Sequence, residues 1–135
     1  MRPEALLFAN AAAIDEGGLL NIQGSAWRYF EPDVFPATLA GTVCGILVVE
    51  YADYGAIYTI EVEVGDDQGH AVRTAGAVTS DCTAPSQEMT IGRIAFVCPF
   101  VTVIREPTLV TARVTCDGAP LGNLDLIVRA KSDDA

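Results

Sequence analysis

The chain has 135 residues, half of them apolar, with 18 acidic against 8 basic side chains and a net charge of −10. That length suits a single domain, residues 1–135, whose core is large enough to stand without a disulfide or a metal. The charge argues against nucleic acid or anionic lipid as a partner, the more so because Arg2, Arg28, Arg73, Arg93, Arg105, Arg113 and Arg129 are scattered along the chain.

The opening Met1-Arg2-Pro3-Glu4 carries no signal-peptide pattern. Residues 5–14 read as a first strand. Their alanine content makes a helix the rival reading, and Asp15-Glu16-Gly17-Gly18, turn chemistry between two extended runs, decides for the strand. Small residues on both of its faces predict cover on both sides. Residues 19–30 read as the second strand. Leu20, Ile22, Gly24 and Ala26 fall on one face, and Asn21, Gln23, Ser25, Trp27 and Tyr29 on the other. Taken literally, that alternation puts the two large aromatics on the polar face. A bulge at Gly24 would reverse the phase and send them into the core.

Glu31-Pro32-Asp33-Val34-Phe35-Pro36 reads as a rigid loop. Residues 39–50 form a long strand, apolar on both faces and therefore expected at the centre of a sheet. After a turn at 51–55, residues 57–64 give the clearest alternation, with Tyr58, Ile60, Val62 and Val64 inward and Thr59, Glu61 and Glu63 outward. Asp66-Asp67-Gln68-Gly69 turns the chain into a return strand over 70–78, which places Arg73 across from the Glu61/Glu63 row. A loop over 79–86 with Cys82 and Pro85 precedes a strand over 88–98. Pro99 is expected to mark a bend or an edge position, with 100–104 continuing beyond it. Strands over 109–116 and 121–129 close the chain, joined by Asp117-Gly118, a strong two-residue hairpin signal. Residues 131–135 are a polar tail.

The sum is eight or nine strands with turns every ~8 to 12 residues. That pattern predicts an all-β, single-domain antiparallel β-sandwich, either immunoglobulin-like or jelly-roll. No run reaches the ~18 to 20 apolar residues of a membrane helix, and the expected location is the cytoplasm. Four cysteines stand at 44, 82, 98 and 116 with no C-x-x-C spacing. Cys44, Cys98 and Cys116 lie in apolar strands and read as buried reduced thiols, with Cys82 the candidate for any bridge.

Three stretches carry a resemblance. Leu6-Leu7-Phe8-Ala9-Asn10-Ala11-Ala12 leads to Gly18-Leu19-Leu20-Asn21-Ile22-Gln23-Gly24. A Phe35-Pro36 step precedes a long apolar strand, and Val114-Thr115-Cys116-Asp117-Gly118 precedes a closing one. In these the chain resembles a family of small bacterial proteins known as a domain of unknown function. The resemblance implies an all-β fold and a bacterial origin, and it supplies no catalytic residues.

Chemistry is sparse. The lone His70 sits at a hairpin turn, with no serine or cysteine tied to it by spacing. Glu61 and Glu63 lie about 7 Å apart on one strand face, which suits either acid/base work or an ordinary charged surface. Asp53, Asp66 and Asp67 are candidate calcium ligands if they share a rim, although no D-x-D-x-D-G loop is present. Gly17-Gly18 leads into a strand, not a helix, so it offers no phosphate cradle. The aromatic group Trp27, Arg28, Tyr29, Phe30 and Phe35 is the candidate partner-binding surface. The sequence therefore predicts a non-enzymatic protein-interaction or assembly module that self-associates and needs no cofactor. The alternative is a small-molecule or carbohydrate-binding jelly roll, with Trp27 and Tyr29 as stacking platforms.

Overall fold

Alternating side chains can bury a single face only if the chain is extended. The computed structural model, which describes residues 1–79 and 91–131, accordingly has nine strands and no α-helix among those residues. They are β1 (Arg2–Ile14), β2 (Leu20–Ser25), β3 (Tyr29–Phe30), β4 (Ala37–Glu50), β5 (Ile57–Gly65), β6 (Ala71–Thr79), β7 (Ile91–Ile104), β8 (Thr108–Cys116) and β9 (Ala119–Val128).

Two sheets form, in the orders β2-β1-β4-β7 and β3-β9-β8-β5-β6. All pairs are antiparallel except β3 on β9. Strands β1, β4 and β7 lie side by side as A, B and E do in an immunoglobulin-type sandwich. Strands β5, β8 and β9 correspond to C, F and G, with β6 in the C′ place. This pairing decides between the two sandwich types that the sequence left open. Between the sheets, Phe8, Val43, Leu47, Phe96 and Cys98 meet Ile60, Val62, Val64, Val114 and Leu126.

The predicted turns close as expected. Asp15 N–H donates to Leu19 O at 3.0 Å, and Asp66 N–H to His70 O at 3.0 Å. At the β8–β9 tip, Asp117 (φ 49°) and Gly118 (φ 85°) both take positive φ, the requirement of a type I′ hairpin. The apolar β4 is indeed central, flanked by β1 and β7.

Three expectations change. The run 19–30 is not one strand: β2 ends at Ser25 and β3 belongs to the other sheet. Gly24 (φ 67°) and Ala26 (φ 65°) adopt left-handed backbone that stops the ladder. Of the two readings of Pro99 the edge position holds, since β7 is an edge strand that runs on through the proline without a bend that ends it. β1 is not covered on both sides, since Ala11 and Ala13 are exposed. Asp53 does not share a rim with Asp66 and Asp67. It precedes the nine-residue β5 and they follow it, which puts them roughly 30 Å apart at opposite ends of the sandwich. The expected 79–86 loop beyond Thr79, Cys82, the start of the 88–98 strand and the tail beyond Lys131 lie outside the described residues.

Candidate functional site

Pairing of β1 with β4 ends at Ala9↔Thr42, and from there β1 continues only with β2. The two ladders diverge and leave a wedge. The kink at Gly24–Ala26 drops Trp27 into it. The indole stacks on Phe8, with ring centroids 5.4 Å apart and planes 5° from parallel. Its Nε1–H donates to Gly24 O at 2.9 Å and to Asn10 Oδ1 at 3.1 Å. It also stands directly over Gly41, where a Cβ would collide with the ring.

The aromatic candidates therefore divide. Trp27, Phe30 and Phe35 are half-buried and pack against the core. Arg28 and Tyr29 are exposed, and the Arg129 guanidinium lies 3.8 Å above the Tyr29 ring while also pairing with Glu31 at 3.3 Å. What remains open of the wedge is a groove of about 430 Å³, with Asn10, Trp27, Tyr29 and Phe30 on one side and Thr38 to Ala40 of β4 on the other. One face of Trp27 is taken by Phe8 and one face of Tyr29 by Arg129, so each ring has at most one face left for a ligand.

A second hollow, about 360 Å³, lies at the β5–β6 turn beside Glu63, Asp66, His70 and Arg113. Asp66 shapes the turn. Its Oδ1 accepts the N–H of Gln68 at 2.9 Å and of His70 at 3.0 Å, and its Oδ2 lies 3.3 Å from His70 Nδ1. Burial alone would push the Asp66 pKa up, but these hydrogen bonds outweigh it and the net direction is down. Asp53, at the other end, accepts the Glu50 N–H at 3.0 Å and pairs with the Met1 amine at 3.2 Å. Among the described residues no three metal-ligating side chains converge.

Glu61 and Glu63 occupy the outer face of the second sheet, as expected, inside a lattice of ion pairs. Glu63 meets Arg73 at 2.9 Å and Arg113 at 3.4 Å, and Glu61 meets Arg73 at 3.8 Å. Thr111 donates to Asp125 on the same face at 2.9 Å.

The outer face of the first sheet is its opposite in character. Register places Leu7, Cys44 and Val97 in one row, and Ala5, Ile46 and Ala95 in the next. Ala9, Thr42 and Pro99 form another row, then Ala40 with Val101 and Thr38 with Val103. β2 adds only Asn21, Gln23 and Ser25. Val101 is 63% exposed and Val103 50%. The charges on this face gather at one end and neutralise each other, Glu4 with Arg93 at 2.7 Å and Arg2 with Glu50 at 3.4 Å. Sequence reading overlooked this surface because it took β1 as covered on both sides. The available signal was β7 itself, where Val97, Val101 and Val103 alternate with the buried Phe96, Cys98 and Phe100, so both of its faces are apolar.

Cys44, Cys98 and Cys116 are free and buried. Burial raises all three thiol pKa values, that of Cys98 to about 11, where Cys44 adds to the effect. No helix among the described residues is long and apolar enough to cross a membrane.

A family of unknown function (DUF6941) matches residues 4–129, which take in all of β2 to β9 and nearly all of β1. The chain belongs to that family. Comparison with curated proteins and with solved structures gives no match.

Proposed function

We propose that this protein is a non-enzymatic interaction or assembly module that self-associates, and that its working surface is the outer face of the β2-β1-β4-β7 sheet. One observation carries the reading: a chain of net charge −10 keeps the middle of that face free of charged side chains while the opposite face is a lattice of ion pairs. Val101 at 63% and Val103 at 50% exposure leave apolar surface uncovered along β7, and such surface marks association. Three buried free thiols suit a reducing compartment, which supports a cytoplasmic setting. The partner is a protein, and the acidic balance argues against nucleic acid and membrane.

Sedimentation of the wild type and of a Val101→Glu/Val103→Glu variant tests the reading. Both side chains are exposed, so the variant keeps its fold. The wild type is expected to associate at micromolar concentration and the variant to remain monomeric. A wild type that stays monomeric at millimolar concentration removes the proposal.

A second reading, binding of a small molecule or carbohydrate, is favoured by the 430 Å³ groove beside Trp27 and Tyr29. A shift of Trp27 fluorescence on titration with mono- and oligosaccharides is its expected sign, and an unmoved spectrum counts against it.

A further inference from the structure

Inside the first sheet, β1 changes partner at Ala9. Residues up to Ala9 pair with β4 and residues from Ala9 on pair with β2, so only Ala9 has ladder partners on both sides. Beyond it, residues 10–14 of β1 and 37–41 of β4 run on as extended stretches of equal length. One keeps β2 and the other keeps β7, and the sides that face each other have no ladder partner among the described residues. Backbone N–H and C=O groups take a partner where one is within reach. Neither stretch holds a charge or a proline, and Ala11, Ala12, Ala13, Ala37, Ala40 and Gly41 are too small to keep two strands apart.

One side chain stands between them. Counting on from Ala9↔Thr42, the next rungs are Asn10 with Gly41, Ala11 with Ala40 and Ala13 with Thr38. Trp27 touches both members of the first of these. Its Nε1–H donates to Asn10 Oδ1 at 3.1 Å, and its ring fills the space that a Gly41 side chain would take. The stack on Phe8 and the bond to Gly24 O hold the ring there.

We propose that the split is one of two states of this sheet. Trp27 pins it open. With the ring withdrawn, residues 10–14 zip onto 37–41, carrying β2 with them, and shut the groove between Asn10 and the Thr38 to Ala40 stretch. The β1–β2 hairpin is the moving strap and Ala9 its hinge. A molecule in the groove binds the open state alone and holds the strap back. This inference depends neither on self-association nor on the identity of a groove ligand.

Residue-resolved amide exchange in the full chain reads both states. Alternate amides of 37–41 bond to β7 whether the strap is open or shut, and they serve as the internal control. In the wild type, the amides of this stretch that face the split are expected to exchange freely. They should slow about tenfold in Trp27→Ala, as the rungs form. Gly41→Ala should act alike, because its new Cβ displaces the ring without removing it. A disulfide trap reads the same closure. In a Cys82→Ser background, Ala11→Cys and Ala40→Cys lie ~4.5 to 5.5 Å apart at Cα once the strap is zipped, within bridging range. Mild oxidation should bridge them about tenfold faster with Trp27→Ala than with Trp27 in place, following the shift in population. Wild-type amides that are already slow at the split, or a bridge that forms as fast with Trp27 in place, overturn the pin. Split-facing amides that stay fast in either variant while the β7-bonded controls stay protected overturn the zipped state.

Discussion

At the scale of single residues, Trp27 shows how one backbone angle redirects a function hypothesis. Alternation alone placed it outward. The positive φ at Gly24 and Ala26 turns it inward onto Phe8 and over Gly41. Trp27→Phe keeps an aromatic plane on Phe8 but loses both Nε1–H bonds, so it should cost about 1 kcal/mol in denaturant unfolding. Trp27→Ala removes the stack as well and should cost about 2–4 kcal/mol. Because Trp27 faces the wedge and not the outer face, a folded Trp27→Ala protein should associate as the wild type does. Loss of association with the fold intact would move the interface to the groove. The cysteines give a second residue-scale prediction. With Cys44, Cys98 and Cys116 buried and their thiol pKa values raised, at most one of the four thiols should react promptly with a disulfide reagent at pH 8. The rest should react only on unfolding.

At the scale of elements, three aspartates hold turns. Asp15 Oδ1 accepts the N–H groups of Gly17 and Leu19, both at 2.9 Å. The Leu19 bond leads in holding its pKa low. Asp53 is lowered chiefly by the Glu50 N–H, and Asp66 is also lowered on balance. A carboxylate whose folded pKa lies below its unfolded value of about 3.9 stabilises fully above that value and loses the contribution as pH falls through the folded pKa. Thermal unfolding should therefore be flat from pH 7 to about 5 and decline below about 4. Asp66→Ala should lower stability by about 1–2 kcal/mol at neutral pH and leave a shallower acid decline. These turns were legible in the sequence because Asp-x-Gly chemistry is local, and so was the central β4, whose two apolar faces need cover. The break after Ser25 was not. A positive φ at Ala26 is set by the competition between β2 on one sheet and β3 on the other, and that is a tertiary fact. For the same reason Pro99 left a bend and an edge position both open: a proline is excluded from an inner strand but not from an edge, and strand order is not written in any one strand.

At the scale of the molecule, the partition of charge matters more than its total. Two bodies of charge −10 repel at every orientation, and an association that buries an uncharged face must overcome that repulsion with apolar contact alone. The sign of the salt dependence follows. Raising ionic strength from 0.01 M to 0.15 M shortens the reach of the repulsion from ~30 Å to ~8 Å, while burial of Val97, Val101 and Ala40 does not depend on it. Association should therefore tighten with salt. The same repulsion falls as pH is lowered from 7 towards 5, a window in which the turn aspartates are still ionised and the fold is intact, so acid should tighten association before it unfolds the chain. An interface built from opposed charge patches would behave in the opposite sense, loosening with salt. Equilibrium sedimentation across salt at pH 7 separates the two, and the Val101→Glu/Val103→Glu variant should stay monomeric at both ends of the range because its new carboxylates would have to be buried against each other.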